Sequence, residues 1–175
     1  MKYLIVSDIH GGINGTKLMY DLYKNGNYDK LLILGDILYH GPRNDLPVDY
    51  KPKEVIKLLN ELKDNIIAIR GNCDAYVDEM VLDFKIIDFL DLKINDLDVH
   101  IEHGHFLDNY HDKKDLILYG HTHLPRLDVI DETIYFNPGS ITIPKGGNKP
   151  SYAIWDNHKI EIISNKGEVI FKYEY

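Results

Sequence analysis

Cysteine is almost absent from this chain: Cys73 is the only one among 175 residues. An intramolecular disulfide is therefore excluded, and such a composition is typical of a reducing compartment. Long hydrophobic runs are also absent, since no segment approaches the roughly 20 apolar residues that a membrane-spanning helix needs. The N-terminus lacks the basic segment, long apolar stretch and cleavage site of a signal peptide. We therefore expect a cytoplasmic protein with no membrane association.

Positive charge is also scarce. The chain has 20 Lys and Arg against 28 Asp and Glu, which gives a formal net charge of −8. Long-range attraction of nucleic acid would need the opposite sign, and the basic residues form no cluster with interleaved aromatic residues. We therefore expect no nucleic acid partner. Bound divalent cations would offset part of the negative charge locally.

The first half of the chain alternates strand and helix patterns. Its apolar runs are continuous, which is typical of parallel strands that are buried on both faces of a sheet. The length favours one domain, covering residues 1–175. The predicted strands are 2–7, 31–34 and 66–69, and the predicted helices are 16–25, with Thr16 as its start signal, and 52–64.

The second half consists mainly of strand patterns. Tyr and β-branched residues are concentrated there, as half-buried antiparallel strands prefer. Short polar segments at 131–132, 156–157 and 165–167 predict hairpin turns. The predicted strands are 96–102, 116–119, 127–130, 133–136, 152–156, 160–163 and 169–173. Together the two halves predict an α/β fold with two sheets packed face to face and helices outside.

Residue types that bind divalent metals follow five of the apolar strands. Ligands of open α/β sheets bind at the C-terminal ends of strands, so these side chains are expected to meet. Asp, Asn and His supply hard oxygen and borderline nitrogen, which suits Mn²⁺, Fe²⁺, Zn²⁺ or Ni²⁺ better than Ca²⁺. The residues are Asp8, His10, Asp36, Asn72, His103, His105, His121 and His123.

Each of these motifs is a weak signal when taken alone. An Asp at a strand end is often a turn or capping residue. The pair His121 and His123 suits chelation from one loop but also fits an ordinary surface loop. The conjunction is more specific, because five of the nine His residues fall in motifs that follow apolar strands. We therefore predict a metal centre at this edge of the sheets.

Beyond these single residues, whole segments of the chain resemble the calcineurin-like metallophosphoesterases. The similarity is strongest to the small YfcE-type phosphodiesterases of bacteria and archaea and covers nearly the whole chain. This resemblance implies a four-layer α/β/β/α sandwich. The segments that carry it are 40–44 (HGPRN), 70–74 (RGNCD), 119–125 (YGHTHLP), 136–140 (FNPGS) and 143–148 (IPKGGN).

The same resemblance implies how the ligands are shared between two divalent ions, with Mn²⁺ as the first choice and Ni²⁺, Zn²⁺ or Fe²⁺ as alternatives. Asp36 would bridge the two ions. His103 is preferred over His105 because the family ligand is the His directly after the strand. The first ion would be held by Asp8, His10 and His123, and the second by Asn72, His103 and His121.

A pair of ions of this kind implies a specific chemistry. Two divalent ions can share a hydroxide, aim it at phosphorus and neutralise the phosphoryl oxygens. The resemblance therefore implies a metal-dependent phosphodiesterase that acts on a small diester and forms a homo-oligomer, a dimer or a tetramer. Three alternatives stay open: a phosphomonoesterase, a nuclease of the same superfamily, and a non-catalytic scaffold such as the eukaryotic trafficking subunit with this fold.

Three further residues near the motifs have two interpretations each. Cys73 stands where many members of the superfamily have a His that protonates the leaving group, so it is either a weak acid or a small packing residue. Arg43 either binds a phosphoryl oxygen or lies at the surface or in a subunit contact. Asp74 is predicted to open the following helix, as its capping residue or an acid in its first turn.

Overall fold

The computed structural model describes residues 1–94 and 96–175. Short 3₁₀ helices cover Lys63–Asn65, Tyr76–Met80 and Leu107–Asn109. The α-helices are α1 (Ile13–Asn25) and α2 (Pro52–Asn60). The strands are β1 (Lys2–Val6), β2 (Lys30–Ile33), β3 (Ile66–Ile69), β4 (Ile86–Ile87), β5 (Phe89–Ile94), β6 (Leu97–Glu102), β7 (Leu116–Leu118), β8 (Pro125–Ile130), β9 (Thr133–Pro138), β10 (Ser151–Asp156), β11 (Lys159–Ser164) and β12 (Val169–Glu174).

The strands form two sheets that pack face to face. The larger sheet has the order β12-β11-β10-β1-β2-β3-β4, and the smaller has the order β5-β6-β7-β9-β8. Strands β1 to β4 run parallel, as the continuous apolar runs predicted, while β10 to β12 extend that sheet antiparallel. The two-sheet α/β sandwich predicted from the sequence is confirmed.

The smaller sheet is mixed, although the sequence pattern favoured antiparallel pairing there. Its central strands β6, β7 and β9 are parallel to one another, and only the edge strands β5 and β8 pair antiparallel. The amino-acid types of half-buried strands are similar in both pairing modes, so composition did not reveal the difference. Parallel pairing places the C-terminal ends of β6 and β7 at one edge.

Alternation along β1 shows how the larger sheet is buried on both faces. Leu4 and Val6 pack in the core beneath the helices, while Tyr3 and Ile5 pack in the core between the sheets. Every residue of the strand beyond Lys2 is buried. A strand with two apolar faces reads as a continuous hydrophobic run, which explains the pattern seen in the sequence.

The bounds of both helices differ from those that the sequence pattern predicted. Helix α1 begins at Ile13 and not at Thr16, because Thr16 lies inside the helix and its hydroxyl donates to the carbonyl of Gly12. Helix α2 ends at Asn60. Both helices pack on the larger sheet, and in the described part of the chain neither is long and apolar enough to cross a membrane.

The outer face of the smaller sheet carries a loop where the four-layer arrangement has its second helical layer. In the loop that follows β6, Tyr110 stacks on the His100 ring with centroids 3.8 Å apart and planes 16° apart. One short 3₁₀ helix, Leu107–Asn109, lies in this loop. Among the described residues, part of this face is therefore covered by side chains of the loop and not by a helix.

Candidate metal centre

The C-terminal ends of β1, β2, β3, β6 and β7 meet at one edge of the sandwich. Backbone hydrogen bonds connect the segments that leave these strands: Asp8 N donates to Gly35 O at 3.1 Å, and His10 N donates to Asp36 O at 2.8 Å. A further bond from Gly120 N to His103 O, 2.8 Å long, connects the ends of β7 and β6. The predicted ligands of both sheets are therefore held side by side.

Left-handed backbone conformations are concentrated at the predicted ligands. Such conformations are uncommon for residues other than glycine and carry a free-energy cost, which surrounding structure must offset. Among the described residues, the other four non-glycine residues with positive φ are Asp96, Asp131, Glu132 and Asn157, which lie in hairpin turns where this is usual. The ligand positions with positive φ are Asp8 (53°), His10 (48°), Asp36 (55°), His121 (65°) and His123 (60°).

Asp8, His10 and His123 form one compact group. Asp8 Oδ1 lies 3.3 Å from His123 Nε2 and 3.7 Å from His10 Nε2, and the two Nε2 atoms lie 3.2 Å apart. One donor atom from each of the three residues falls within 4.8 Å of the others. All three side chains are buried, so the group is a small polar enclosure that fits one cation.

Asp36 lies between that group and His103. Its Oδ2 atom is 3.6 Å from His10 Nε2 and 3.4 Å from His103 Nε2, while its Oδ1 accepts a hydrogen bond from Cys73 N at 2.7 Å. A second set of three donor atoms, from Asp8, Asp36 and His103, also falls within 4.8 Å. One carboxylate therefore faces both groups, which is the position predicted for a bridging ligand.

The ring orientation of three histidines is fixed by backbone carbonyls. A carbonyl only accepts, so each contacting Nδ1 carries the proton and leaves the Nε2 lone pair for a cation. The Nδ1 contacts are His10 to Tyr39 O (2.8 Å), His103 to Leu34 O (2.6 Å) and His123 to Ile143 O (2.8 Å).

Two buried atoms of the site that could ligate a metal have no hydrogen-bond partner among the described residues. They are Asp8 Oδ1 and His103 Nε2. Leaving buried polar atoms without partners costs free energy, and native structures usually avoid it. Both atoms belong to the triplets that could hold a cation. A borderline divalent ion matches a set of imidazole nitrogens and carboxylate oxygens, so the residues present fit the predicted metals.

Strong electrostatic coupling runs through the site. Burial alone would raise the pKa of Asp8, but the nearby imidazoles of His10 and His123 outweigh it and hold that pKa well below its usual range. Burial would lower the pKa of His103, yet the nearby carboxylates of Asp36 and Asp8 raise it to about 9. The pKa of Asp36 is lowered in turn, because His103 outweighs the effect of burial.

We expect the metal-free protein to lose stability as the pH rises from 6.5 through about 9. His103 binds its proton more tightly in the folded state than in the unfolded chain, so its contribution is complete below the unfolded pKa and disappears above the folded one. Urea unfolding in the presence of chelator checks this across the same range. His103→Gln is the control and should flatten the profile; an equally steep profile in that variant would contradict the assignment.

Asn72 and His121 lie at the open side of the site. Asn72 is exposed, and both residues line the same pocket as Asp36 and His123. The rings of His121 and His103 pack with centroids 5.2 Å apart. The structure therefore brings these two predicted ligands to the pocket, but at its wall rather than in the buried groups described above.

The mouth of this pocket is basic. Arg43 lines it from the loop after β2, and Lys145 lines it from the loop before β10. Both side chains are exposed. Sequence reasoning singled out Arg43 but missed Lys145, whose only signal was its place in the segment 143–148. Two cations at the mouth of a carboxylate-rich pocket can contact an anionic group that enters it.

Asp74 was interpreted incorrectly from the sequence. It does not cap the next helix, which begins at Tyr76 and follows Ala75. Its carboxylate instead accepts backbone hydrogen bonds from Asp36 N (2.8 Å), Ile37 N (2.7 Å) and Gly71 N (2.7 Å). Asp74 therefore holds the turn that carries Asp36 against the end of β3, a role that depends on contacts distant in sequence.

Close packing at this turn leaves no space for a side chain on Gly71. A Cβ atom there would lie 2.1 Å from Asp36 Oδ1 and 2.3 Å from Asp36 N. A similar approach occurs at Gly120, where a Cβ would lie 1.9 Å from Ser7 Oγ. The glycines that precede Asn72 and His121 thus allow the strand ends to approach each other closely.

The segment 136–140 supports the site from β9. Asn137 Nδ2 donates to Gly120 O at 2.6 Å, which fixes the turn before His121. Ser140 Oγ donates to the backbone carbonyl of Asp8 at 2.7 Å. Both side chains are fully buried. They position backbone that carries predicted ligands and do not line the pocket themselves.

His105 lies outside both buried groups. Its ring centroid is 5.5 Å from that of His103 and 6.1 Å from that of His121. Its Nδ1 is buried with no hydrogen-bond partner in the described chain. Burial, followed by the charge of His103, lowers the pKa of His105. The preference for His103 over His105 as a ligand agrees with this arrangement.

Cys73 lies at the pocket as a neutral thiol. Burial and the neighbouring carboxylate of Asp36 raise its pKa to about 12. An acid with so high a pKa is poorly matched to proton transfer near neutral pH. Of the two sequence interpretations, this environment favours a packing residue, and Gly41 lies directly above it: a Cβ there would be 2.6 Å from Sγ.

We expect Cys73→Ser to change kcat for a nitrophenyl phosphodiester by less than about threefold, whereas loss of a working general acid typically costs a factor of about 10² to 10⁴. The comparison should be repeated with an alkyl ester, whose leaving group needs a proton more. A much larger loss of kcat for the alkyl ester than for the nitrophenyl ester would assign the thiol an acid role and contradict the expectation.

The chain is similar to known proteins over nearly its whole length. The family model of the calcineurin-like phosphoesterase superfamily domain matches residues 1–159. The phosphodiesterase YfcE of Escherichia coli strain K12 is 41% identical over 169 residues, which cover 94% of this chain and 92% of that protein. A solved structure of YfcE from E. coli, described as a phosphoesterase, aligns with a TM-score of 0.95 and 39% identity over 99% of both chains.

A more distant likeness concerns the fold alone. Wild-type Vps29 from Entamoeba histolytica, solved as a complex with Zn²⁺, aligns with a TM-score of 0.63 and 16% identity over 99% of both chains. The sandwich architecture is therefore shared with proteins whose sequences have diverged widely.

Proposed function

The chain belongs to the calcineurin-like phosphoesterase superfamily, and from this premise we propose that it is a divalent-metal-dependent phosphodiesterase. We propose that it binds two divalent ions. Mn²⁺ is the first choice, and Ni²⁺, Zn²⁺ or Fe²⁺ are the alternatives. The proposed ligands are Asp8, His10 and His123 for one ion and Asn72, His103 and His121 for the other, with Asp36 shared.

The observation that carries the proposal is the placement of Asp36. Its Oδ2 lies within 3.6 Å of His10 Nε2 and 3.4 Å of His103 Nε2, and its backbone is held in a left-handed conformation with φ of 55°. Such strain persists only where surrounding structure imposes it, and it is concentrated at functional sites. A carboxylate fixed between two histidine groups supports a shared ligand.

When bound, the ions supply Lewis acidity toward phosphoryl oxygens and lower the pKa of a water molecule toward neutrality. The chain itself has three tasks. The backbone carbonyls that accept from the ligand histidines keep each Nε2 directed at the site. Arg43 and Lys145 contact anionic oxygens at the pocket mouth, and the neutral thiol of Cys73 fills the space beneath Gly41.

Hydrolysis of bis(4-nitrophenyl) phosphate tests the proposal. We expect turnover with added Mn²⁺, loss of turnover with chelator, and recovery when Mn²⁺ is returned. The non-catalytic scaffold alternative predicts metal binding without turnover under any of these conditions. Faster hydrolysis of 4-nitrophenyl phosphate than of the diester, compared by kcat/KM, would favour a phosphomonoesterase.

Arg43→Ala should raise KM for the nitrophenyl diester roughly tenfold or more, since a hydrogen bond to a charged group contributes about 1.5–3 kcal/mol. The effect should fall on KM rather than on kcat, because the side chain is proposed to contact the anion before and during the reaction. Arg126→Ala is a matched control: Arg126 is paired with Asp128 on β8 and does not line this pocket. Equal kinetics in both variants would contradict the role.

We further propose that residues 1–175 form one metallophosphoesterase domain that works in the cytoplasm as a homo-oligomer, a dimer or a tetramer, on a small diester rather than on nucleic acid. The net charge of −8 supports the last point. Light scattering of the metal-loaded protein measures its mass in solution, and a monomer at micromolar concentration would contradict the oligomer.

A further inference from the structure

A second cavity, the outer cleft, adjoins the metal pocket. Its volume is about 350 Å³. Three residues line both the cleft and the pocket, so a molecule bound in the pocket can extend past them into the cleft. The shared residues are Arg43, Asn44 and Lys145, and the cleft alone is lined by Asp45, Ile143 and Pro144.

The two loops that form the cleft are held against proposed metal ligands. In the loop before β10, Ile143 O accepts from His123 Nδ1 at 2.8 Å, and Lys145 N donates to His123 O at 3.2 Å. In the loop after β2, Tyr39 O accepts from His10 Nδ1 at 2.8 Å. Because both loops are bonded to ligand histidines, the cleft has a fixed position relative to the site where a phosphate would be held.

The two cations of the cleft have no carboxylate partner. Of the three arginines in the chain, Arg70 and Arg126 are paired with carboxylates. The third, Arg43, forms no ion pair or side-chain hydrogen bond within residues 1–94 and 96–175, and neither does Lys145. Both side chains are exposed. In a chain with a net charge of −8, two adjacent cations thus remain available for an anionic ligand.

The cleft combines this positive charge with an apolar surface. Arg43 and Lys145 face one carboxylate there, that of Asp45. The reacting phosphate of a diester has a single negative charge, and the proposed ions already face it. A second anionic group on the same substrate would lie against the two cations, while the carbon chain that carries it would pack on Ile143 and Pro144.

We propose that the outer cleft binds a second anionic group of the phosphodiester substrate, carried by one of its two esterified alcohols. The inference rests on the proposed function and names its substrate class. Arg43 presents a planar fork that matches phosphate or carboxylate oxygens, and Lys145 supplies a compact charge. Asp45 repels the anion and limits how tightly it binds.

The affinity of two symmetrical diesters tests the proposal independently of catalysis. Bis(3-sulfopropyl) phosphate differs from dipropyl phosphate in its terminal sulfonates, which are weak ligands of divalent ions and therefore report on the cleft rather than on the metals. Titration calorimetry of the metal-loaded protein should give a Kd about threefold to tenfold lower for the sulfonate, the range expected for exposed cations. This preference should shrink as NaCl is raised from about 0.05 M to about 0.5 M.

Two substitutions should change this preference in opposite directions. Lys145→Gln should reduce it to about half or less, and Asp45→Asn, which removes the opposing carboxylate, should raise it about twofold. Lys166→Gln is the matched control, because Lys166 is exposed in the turn between β11 and β12 and lines neither cavity. It changes the net charge as Lys145→Gln does and should leave the preference unchanged.

The outcomes separate this inference from the proposed function. Equal affinity for both diesters, or a preference that Lys145→Gln and Asp45→Asn leave unchanged, would overturn the inference even if bis(4-nitrophenyl) phosphate is hydrolysed. A preference that responds to both substitutions in a protein that hydrolyses no diester would support the cleft while the proposed function fails. Bis(3-carboxypropyl) phosphate distinguishes the two sources of charge: weaker binding than the sulfonate indicates a phosphate-like group, and equal or tighter binding indicates a carboxylate.

Discussion

Replacing Asp36 with Asn is expected to lower kcat/KM for phosphodiesters by about 10³-fold or more, because metal ions contribute several kcal/mol to phosphoryl transfer and each 1.36 kcal/mol is a factor of ten. The amide is close in size to the carboxylate but carries no charge, so the hydrogen bond from Cys73 N can survive while the shared anionic ligand is lost. The variant should therefore fold normally and bind fewer than two ions for each chain.

Metal content and activity must be measured together for this variant. Asp21→Asn provides the control, since Asp21 lies exposed on α1 and its loss changes net charge by the same amount. Full turnover by Asp36→Asn at the metal content of the unaltered chain would exclude the proposed chemistry. Lost turnover with a full complement of metal would instead show that Asp36 acts in the reaction without being needed to hold the ions.

Replacing Asp74 with Asn is expected to lower the free energy of unfolding by about 1–3 kcal/mol, since one of the three backbone amides would then face an amide donor and stay unsatisfied in a buried turn. In the unaltered chain, the Asp74 carboxylate accepts hydrogen bonds from the backbone amides of Asp36, Ile37 and Gly71. Because two of them carry the turn of Asp36, we also expect weaker metal binding.

Urea unfolding with and without Mn²⁺ separates these two effects. Asp78→Asn is the matched control, because Asp78 accepts a single backbone hydrogen bond from Ala75 N at 2.8 Å and Asn serves nearly as well at such a position, so less than about 1 kcal/mol should be lost. If Asp74→Asn unfolds at the same urea concentration as Asp78→Asn, the carboxylate does not hold the turn as the structure implies.

The strands and the ligand types could be predicted because both depend on local pattern. Continuous apolar runs indicated β1, β2 and β3, and a polar residue after each run indicated the chemistry. The ends of these elements differed by a few residues, as at α2, where the apolar pattern continues to Leu62 beyond the last helical residue, Asn60. The short strand β4 and the strand β5 were not predicted.

Residues whose role depends on a partner distant in sequence were the ones that pattern missed or misread. Asp74 follows a strand and precedes a short helix, so its sequence context favoured a cap, whereas its partners at positions 36 and 37 come from another strand end. Lys145 had no signal beyond its place in the segment 143–148, because only the fold brings it to the same pocket as Arg43.

By itself, the sequence determined which side chains were available for metal chemistry and that they follow strands, because hydrophobic periodicity and residue type are local properties. Only the tertiary structure decided which of them meet. The parallel pairing of β6 with β7 and the packing of the two sheets bring His103 within 3.4 Å of Asp36. The left-handed turns and the carbonyls that orient each imidazole also depend on contacts between segments far apart in the chain, which no local pattern encodes.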